Sequence, residues 1–141
     1  MEPNFLVIGG HKCGSSSLCA AIGQHPDVFM CEPKEPQFFC REDIYARGWD
    51  WYCSLFEEGR GKRAVGEGSV MYSSPSRASV VVPRIVERLP DAKLILIARH
   101  PIRRIESAWR HHQAARPQNS STFDDLVRGG AFVDGSLYWK Q

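Results

Sequence analysis

The stretch Phe5-Leu-Val-Ile-Gly-Gly-His-Lys-Cys-Gly-Ser-Ser-Ser-Leu18 leaves this chain few folds to choose from. Phe5 to Ile8 read as a short buried strand, with two β-branched residues among four apolar ones. The glycine pair, lysine, further glycine and three serines that follow read as a tight turn into a helix. At the start of such a helix the backbone N–H groups lack intrahelical partners, and the helix dipole adds partial positive charge. A phosphate-like anion is the expected occupant. A turn that only reversed the chain would need neither three hydroxyls nor a lysine.

Gly9 and Gly14 have the spacing of the two glycines in a nucleoside-triphosphate loop, G-x-x-x-x-G-K-[ST]. The lysine departs from that pattern. Ser15 stands in its place, Ser16 stands where the magnesium-binding hydroxyl would be, and Lys12 lies two residues before the second glycine. A triphosphatase also needs an acid on Mg²⁺ at a second strand end, and none is evident.

A length of 141 residues suggests one domain with enough apolar content for a core. A net charge of +2 is too mild to argue for nucleic acid or an anionic membrane, so any basic function must be local. Five cysteines, Cys13, Cys19, Cys31, Cys40 and Cys53, contain no C-x-x-C pair, which points to reduced thiols rather than a zinc or redox site. Cys13 stands apart, since a thiol inside an anion loop is open to a lowered pKa. Met1-Glu-Pro-Asn offers no basic leader, and no apolar run is long enough to span a bilayer, so the expectation is a cytoplasmic chain.

Beyond the loop, Leu18, Ala21 and Ile22 keep helical spacing until Gly23, and Asp27 to Cys31 reads as a second strand. In Glu32-Pro-Lys-Glu-Pro-Gln-Phe-Phe39 two prolines favour a shaped loop, pinned by Phe38 or Phe39 with its carboxylates held in place. Trp49, Tyr52, Leu55 and Phe56 have one-face helical spacing, as a core-packed helix requires. Ala64 to Ser69 reads as a buried strand ending at an acid and a serine, and Pro83 as the opening of a helix that Pro90 stops. Lys93-Leu-Ile-Leu-Ile-Ala98 is apolar on both faces, as a central parallel strand should be. It runs into Arg99 and a helix beginning at Pro101, with Ile102, Ile105 and Trp109 as the expected buried stripe. Arg99 thus sits at the carboxyl end of a parallel strand, where open α/β sheets bind ligands, and Ser107 lies about 12 Å farther along the helix. A last helix is expected after Ser121 or Thr122, ending near Gly129-Gly130.

The loop, Lys34-Glu-Pro-Gln-Phe-Phe39 and Arg99-x-Pro-x-x-Arg-x-x-Ser-x-Trp109 together resemble the sulfotransferases that use 3′-phosphoadenosine 5′-phosphosulfate (PAPS). The likeness is to the branch holding the heparan sulfate enzymes and their bacterial relatives. It covers nearly the whole chain in the right order. It implies an α/β, P-loop-containing three-layer fold with a central parallel sheet and flanking helices, incomplete at the C-terminus. The whole chain would be the N-terminal portion of one sulfotransferase-like domain.

By position, the resemblance makes Lys12, Cys13, Gly14, Ser15, Ser16 and Ser17 the 5′-phosphosulfate loop, with Lys12 stabilising charge on the leaving oxygens. Arg99 and Ser107 would grip the 3′-phosphate, and Glu35 would act as general base on the acceptor. Glu35, Gln37, Glu67 and Ser69 are expected on the acceptor side. Gly68 and Val70 stand where heparan sulfate enzymes carry lysine and proline, which sets this acceptor cleft apart. Gly135-Ser-Leu-Tyr138 is similar to a glycine-x-tyrosine element of the family. The implied reaction moves a sulfuryl group from PAPS to a hydroxyl or amine, carbohydrates included, with adenosine 3′,5′-bisphosphate as product and no metal. A P-loop kinase with a displaced lysine and an inactive nucleotide-binding domain remain the alternatives. Arg110, His111, His112 and Arg116 form either a basic rim for an anionic glycan or a solvated helix end.

Overall fold

A computed structural model of the chain describes residues 1–115, 122–128 and 133. Its centre is β1 (Phe5–Gly9), in a parallel sheet with β2 (Val28–Met30), β3 (Ala64–Gly68) and β4 (Lys93–Leu96). The strand order is β2-β3-β1-β4, so β1 lies between β3 and β4, with Leu6 opposite both Glu67 and Leu94.

Because successive side chains of a strand alternate, β1 feeds two cores at once. Phe5 and Val7 pack with Cys19 of α1 (Ser15–Ile22) on one face. Leu6 and Val65 join Phe38, Phe39, Tyr52 and Phe56 on the other. There α3 (Trp49–Ser54) lies over the sheet with α4 (Ala78–Arg88), and α2 (Glu42–Tyr45) supplies Ile44 and Tyr45 at its margin. Phe38 stacks on Tyr52 with ring centroids 4.4 Å apart, and both Phe38 and Phe39 are buried, so two aromatic anchors fix the proline-rich loop.

Gly68 has a packing reason. A Cβ there would stand 2.6 Å from Cys19 Sγ, so the absence of a side chain on β3 allows α1 its close approach. The five cysteines stand as thiols. Burial pushes the pKa of Cys19, Cys31, Cys40 and Cys53 up, which favours the thiol over the thiolate at all four.

Three expectations need correcting. The helix assigned to start at Pro83 begins at Ala78 and carries Pro83 inside it. Pro83 and Ser79 are both exposed, so the carbonyl deprived of its donor faces water. β4 is an edge strand in the described sheet, with Leu94 53% and Leu96 46% exposed, not a strand covered on both faces. α5 (Pro101–Ala115) does begin at its proline, but it buries Arg104 and Ala108 and leaves Ile102 65% exposed. Its inner face is chosen by a polar contact, since Arg104 Nη1 donates to the carbonyl of His11 in the loop after β1 (3.3 Å).

The last helix, α6 (Phe123–Arg128), starts behind Thr122 as expected. Thr122 Oγ1 accepts the Asp125 N–H at 3.2 Å, and Asp125 Oδ2 accepts the Thr122 N–H at 2.9 Å. The Gly135–Tyr138 element and Arg116 lie outside the described residues.

Candidate active site

The loop between β1 and α1 is built for exposed N–H groups. Gly14 caps α1 at φ 100°, with no side-chain cap, and Leu18 donates to the Gly14 carbonyl at 3.0 Å. The N–H groups ahead of it, at Ser15, Ser16 and Ser17, are those a helix leaves open to a ligand. The base of the loop is stitched to the exit of β4: Ile97 N–H donates to Gly9 and Gly10 N–H to Ile97, both at 2.8 Å. The two connections therefore leave the sheet side by side.

They enclose one cleft of about 340 Å³, lined by His11, Lys12, Gly14, Ser15, Ser16, Glu35, Val70, Arg99, Ser107 and His111. Lys12 and Arg99, 87 residues apart, thus share a cavity, and Arg99 Nη1 donates to the Lys12 carbonyl at 3.4 Å. Partial burial lowers the pKa of His11, and the charges of Arg104, Lys12 and His111 push it the same way against an opposing pull from Glu35. The shift favours the neutral imidazole.

Glu35 lies on two clefts. It borders the first and also a smaller one of about 230 Å³, where Gln37, Arg41, Arg47 and Trp51 are among its neighbours. Its Oε1 is held by Lys34 Nζ at 2.7 Å. Lys12, Glu35 and Gln37 have φ values of 62°, 62° and 57°. Left-handed backbone at non-glycine residues is strained, and it persists where surrounding contacts impose it. Here all three such residues border the clefts.

The expected residues do not all reach the cavities. Lys12, Gly14, Ser15, Ser16, Arg99, Ser107 and Glu35 line the first cleft, and Gln37 lines the second. Cys13 is turned inward, its Sγ donating to the His11 carbonyl at 3.7 Å, and neither it nor Ser17 lines the cleft. Glu67 and Ser69 are fully buried and lie behind the wall rather than on it. The cause is chemical: Glu67 accepts the hydroxyl protons of Ser69 (2.6 Å), Tyr72 (2.6 Å) and Tyr52 (3.1 Å). Burial pushes its carboxyl up to about 7, with those hydrogen bonds pulling the other way.

His11, Val70 and His111 line the cleft as well; the sequence alone puts Val70 on the acceptor side and His111 on a basic rim or a solvated helix end, and gives His11 no role. For His111 a signal existed, since it stands four residues after Ser107 and so on the same helix face. His11 had one too, as the neighbour of Lys12. Among the described residues no three His, Cys, Asp or Glu side chains cluster as metal ligands would, and no helix is long and apolar enough to cross a membrane.

No family model matches the chain. It is 35% identical over 140 residues to the membrane-associated sulfotransferase kil1 of Dictyostelium discoideum, covering 93% of this chain and 28% of that protein. It is 35% identical over 142 residues to the bifunctional heparan sulfate N-deacetylase/N-sulfotransferase 3 of Mus musculus, covering 91% of this chain and 15% of that one. To the human heparan sulfate glucosamine 3-O-sulfotransferase 6 it is 32% identical over 116 residues, covering 82% of this chain and 32% of that one. The chain thus spans less than a third of each of these three relatives. Among solved structures, the sulfotransferase from Alicyclobacillus acidocaldarius matches with TM-score 0.76 and 31% identity, over 100% of this chain and 63% of that one.

Proposed function

The chain belongs to the sulfotransferase family, and from that membership we propose that it is the N-terminal portion of one sulfotransferase-like domain, transferring a sulfuryl group from PAPS to a hydroxyl or amine. One observation carries the reading: Lys12, Arg99 and Glu35 border a single cleft, and Glu35 borders a second cleft as well. The donor set suits a bisphosphorylated nucleotide, since it offers two cations, open helix N–H groups and the hydroxyls of Ser15, Ser16 and Ser107.

In this reading PAPS supplies an activated sulfuryl group. Lys12 and the start of α1 hold the 5′-phosphosulfate, and Arg99 with Ser107 holds the 3′-phosphate. Lys12 then meets the negative charge that grows on the leaving phosphate, as a cation beside a developing anion does. Glu35 takes the acceptor proton. Lys34 fixes the orientation of its carboxylate at Oε1, and Oε2 has no protein partner among the described residues. The acceptor enters from the smaller cleft, where Gln37, Arg41 and Trp51 meet it; carbohydrates head the candidates because the names of two relatives carry heparan sulfate. A kinase reading has less behind it, because the acid at the neighbouring strand end, Glu67, is already taken up by three hydroxyls.

The test is transfer of label from PAPS to a panel of sugars, alcohols and amines. Glu35→Gln is expected to lower turnover by about a hundredfold or more while adenosine 3′,5′-bisphosphate still binds. Turnover by Glu35→Gln equal to that of the unaltered chain overturns the assignment of the base. Binding without any transfer leaves a nucleotide-binding domain in place of an enzyme.

A further inference from the structure

Glu67 is a fully buried acid near the end of β3 that touches neither cleft, yet it stands behind two of the hydrogen bonds that hold the Glu35 loop. Its partners face two ways. Ser69 Oγ, which gives its proton to Glu67 Oε2, accepts the backbone N–H of Gln37 at 3.0 Å. Tyr72 Oη, which gives its proton to Glu67 Oε1, accepts the backbone N–H of Phe39 at 3.3 Å. Tyr52, the third donor, stacks against Phe38 between them.

A hydroxyl has one proton, and above about pH 7 the ionised Glu67 carboxylate accepts without donating. Once Glu67 takes the protons of Ser69 and Tyr72, those oxygens can turn only lone pairs toward the loop, and a backbone N–H needs a lone pair. We propose that Glu67 is a positioning residue for Glu35: its carboxylate orients the Ser69 and Tyr72 hydroxyls so that they clamp the Gln37 and Phe39 amides and hold the Glu35 loop in its strained form. The strain makes the clamp necessary. Glu35 and Gln37 both adopt left-handed backbone, and the two clamped amides begin at Gln37 itself. The inference rests on the proposed role of Glu35 for its catalytic consequence, whereas the clamp stands on its own.

Glu67→Gln keeps the shape and introduces an NH₂ donor, which turns either Ser69 on one side or Tyr52 and Tyr72 on the other from donor to acceptor, so that a displaced hydroxyl proton competes with the Gln37 or Phe39 amide for its place. Ser69→Ala leaves the carboxylate and removes the acceptor of Gln37. Both are followed by residue-resolved hydrogen exchange, by calorimetry with adenosine 3′,5′-bisphosphate and by label transfer from PAPS. The expected result is exchange at Gln37 or Phe39 about tenfold faster in Glu67→Gln, and at Gln37 in Ser69→Ala, the size of one lost hydrogen bond. Strand amides such as Val7 and Val65 keep their protection, nucleotide affinity stays within about twofold, and kcat falls about tenfold or more with the KM for PAPS unchanged.

Unchanged exchange at Gln37 and Phe39 in both variants overturns the clamp. Faster exchange spread equally over the strands, in whichever variant folds, makes Glu67 a part of the core and nothing more. A normal kcat with a loosened loop removes the catalytic link. Absence of nucleotide binding and transfer in the unaltered chain refutes the proposed function instead, and the exchange arm still decides the clamp.

Discussion

Of the three left-handed residues, Lys12 and Gln37 are held at the backbone from outside, by Arg99 on the Lys12 carbonyl and Ser69 on the Gln37 amide, while Lys34 holds the carboxylate of Glu35. The buried acid behind Ser69 has a measurable signature. Its carboxyl is raised from an ordinary 4.5 to about 7, so the folded chain binds that proton more tightly than the unfolded chain. The contribution of Glu67 to stability is therefore greatest below pH 4.5, falls as the pH rises toward 7, and is then constant. The loss is about 3 kcal/mol. Melting the unaltered chain and Glu67→Gln from pH 4 to pH 8 is expected to show their Tm difference shifting in favour of the variant across that window; a difference that stays flat contradicts the buried charge. At this scale the sequence disclosed the loop lysine, its serines, Arg99, Ser107 and Glu35 as candidates, because strand ends and a motif mark them. It concealed the inward turn of Glu67, Ser69 and Cys13, because a polar residue at a strand end reads alike whether it faces a cleft or a core.

Among the elements, β1, β3, α1 and α3 follow directly from apolar runs, glycine stops and one-face spacing. α5 does not, because apolar periodicity ranked Ile102, Ile105 and Trp109 above Arg104. The helix instead turns Arg104 under the anion loop and Ser107 and His111 toward the cleft. A buried arginine bonding to a loop carbonyl leaves no trace in hydrophobic patterning. β4 shows the converse, an apolar run that reads as covered and lies at an edge. Packing between α1 and β3 gives a sharp test, because Cys19 Sγ lies where a side chain at position 68 would begin. Gly68→Ala is expected to destabilise the fold by about 1–3 kcal/mol in urea unfolding, and Cys19→Ala in the same chain to recover most of that loss. Purely additive effects of the two changes would mean that helix and strand are not in contact there.

At the scale of the molecule, a parallel sheet sends the connections after β1, β3 and β4 to one edge, which is where such sheets place ligands. The loop carrying Glu35 joins them from the far side of β3, held by the aromatic cluster of Phe38, Phe39, Tyr52 and Tyr72. That convergence was legible from strand ends alone, while the second cleft beside Glu35 was not, because it depends on how α2 and α3 pack beside that loop. The central claim is that Lys12 and Arg99 hold one nucleotide between them. Calorimetric titration of adenosine 3′,5′-bisphosphate into the unaltered chain, Lys12→Ala, Arg99→Ala and the double variant tests it most directly. Saturable binding by the unaltered chain, with each substitution weakening it about tenfold or more, is the predicted result; binding that survives both substitutions intact, in protein shown to be folded, would contradict it.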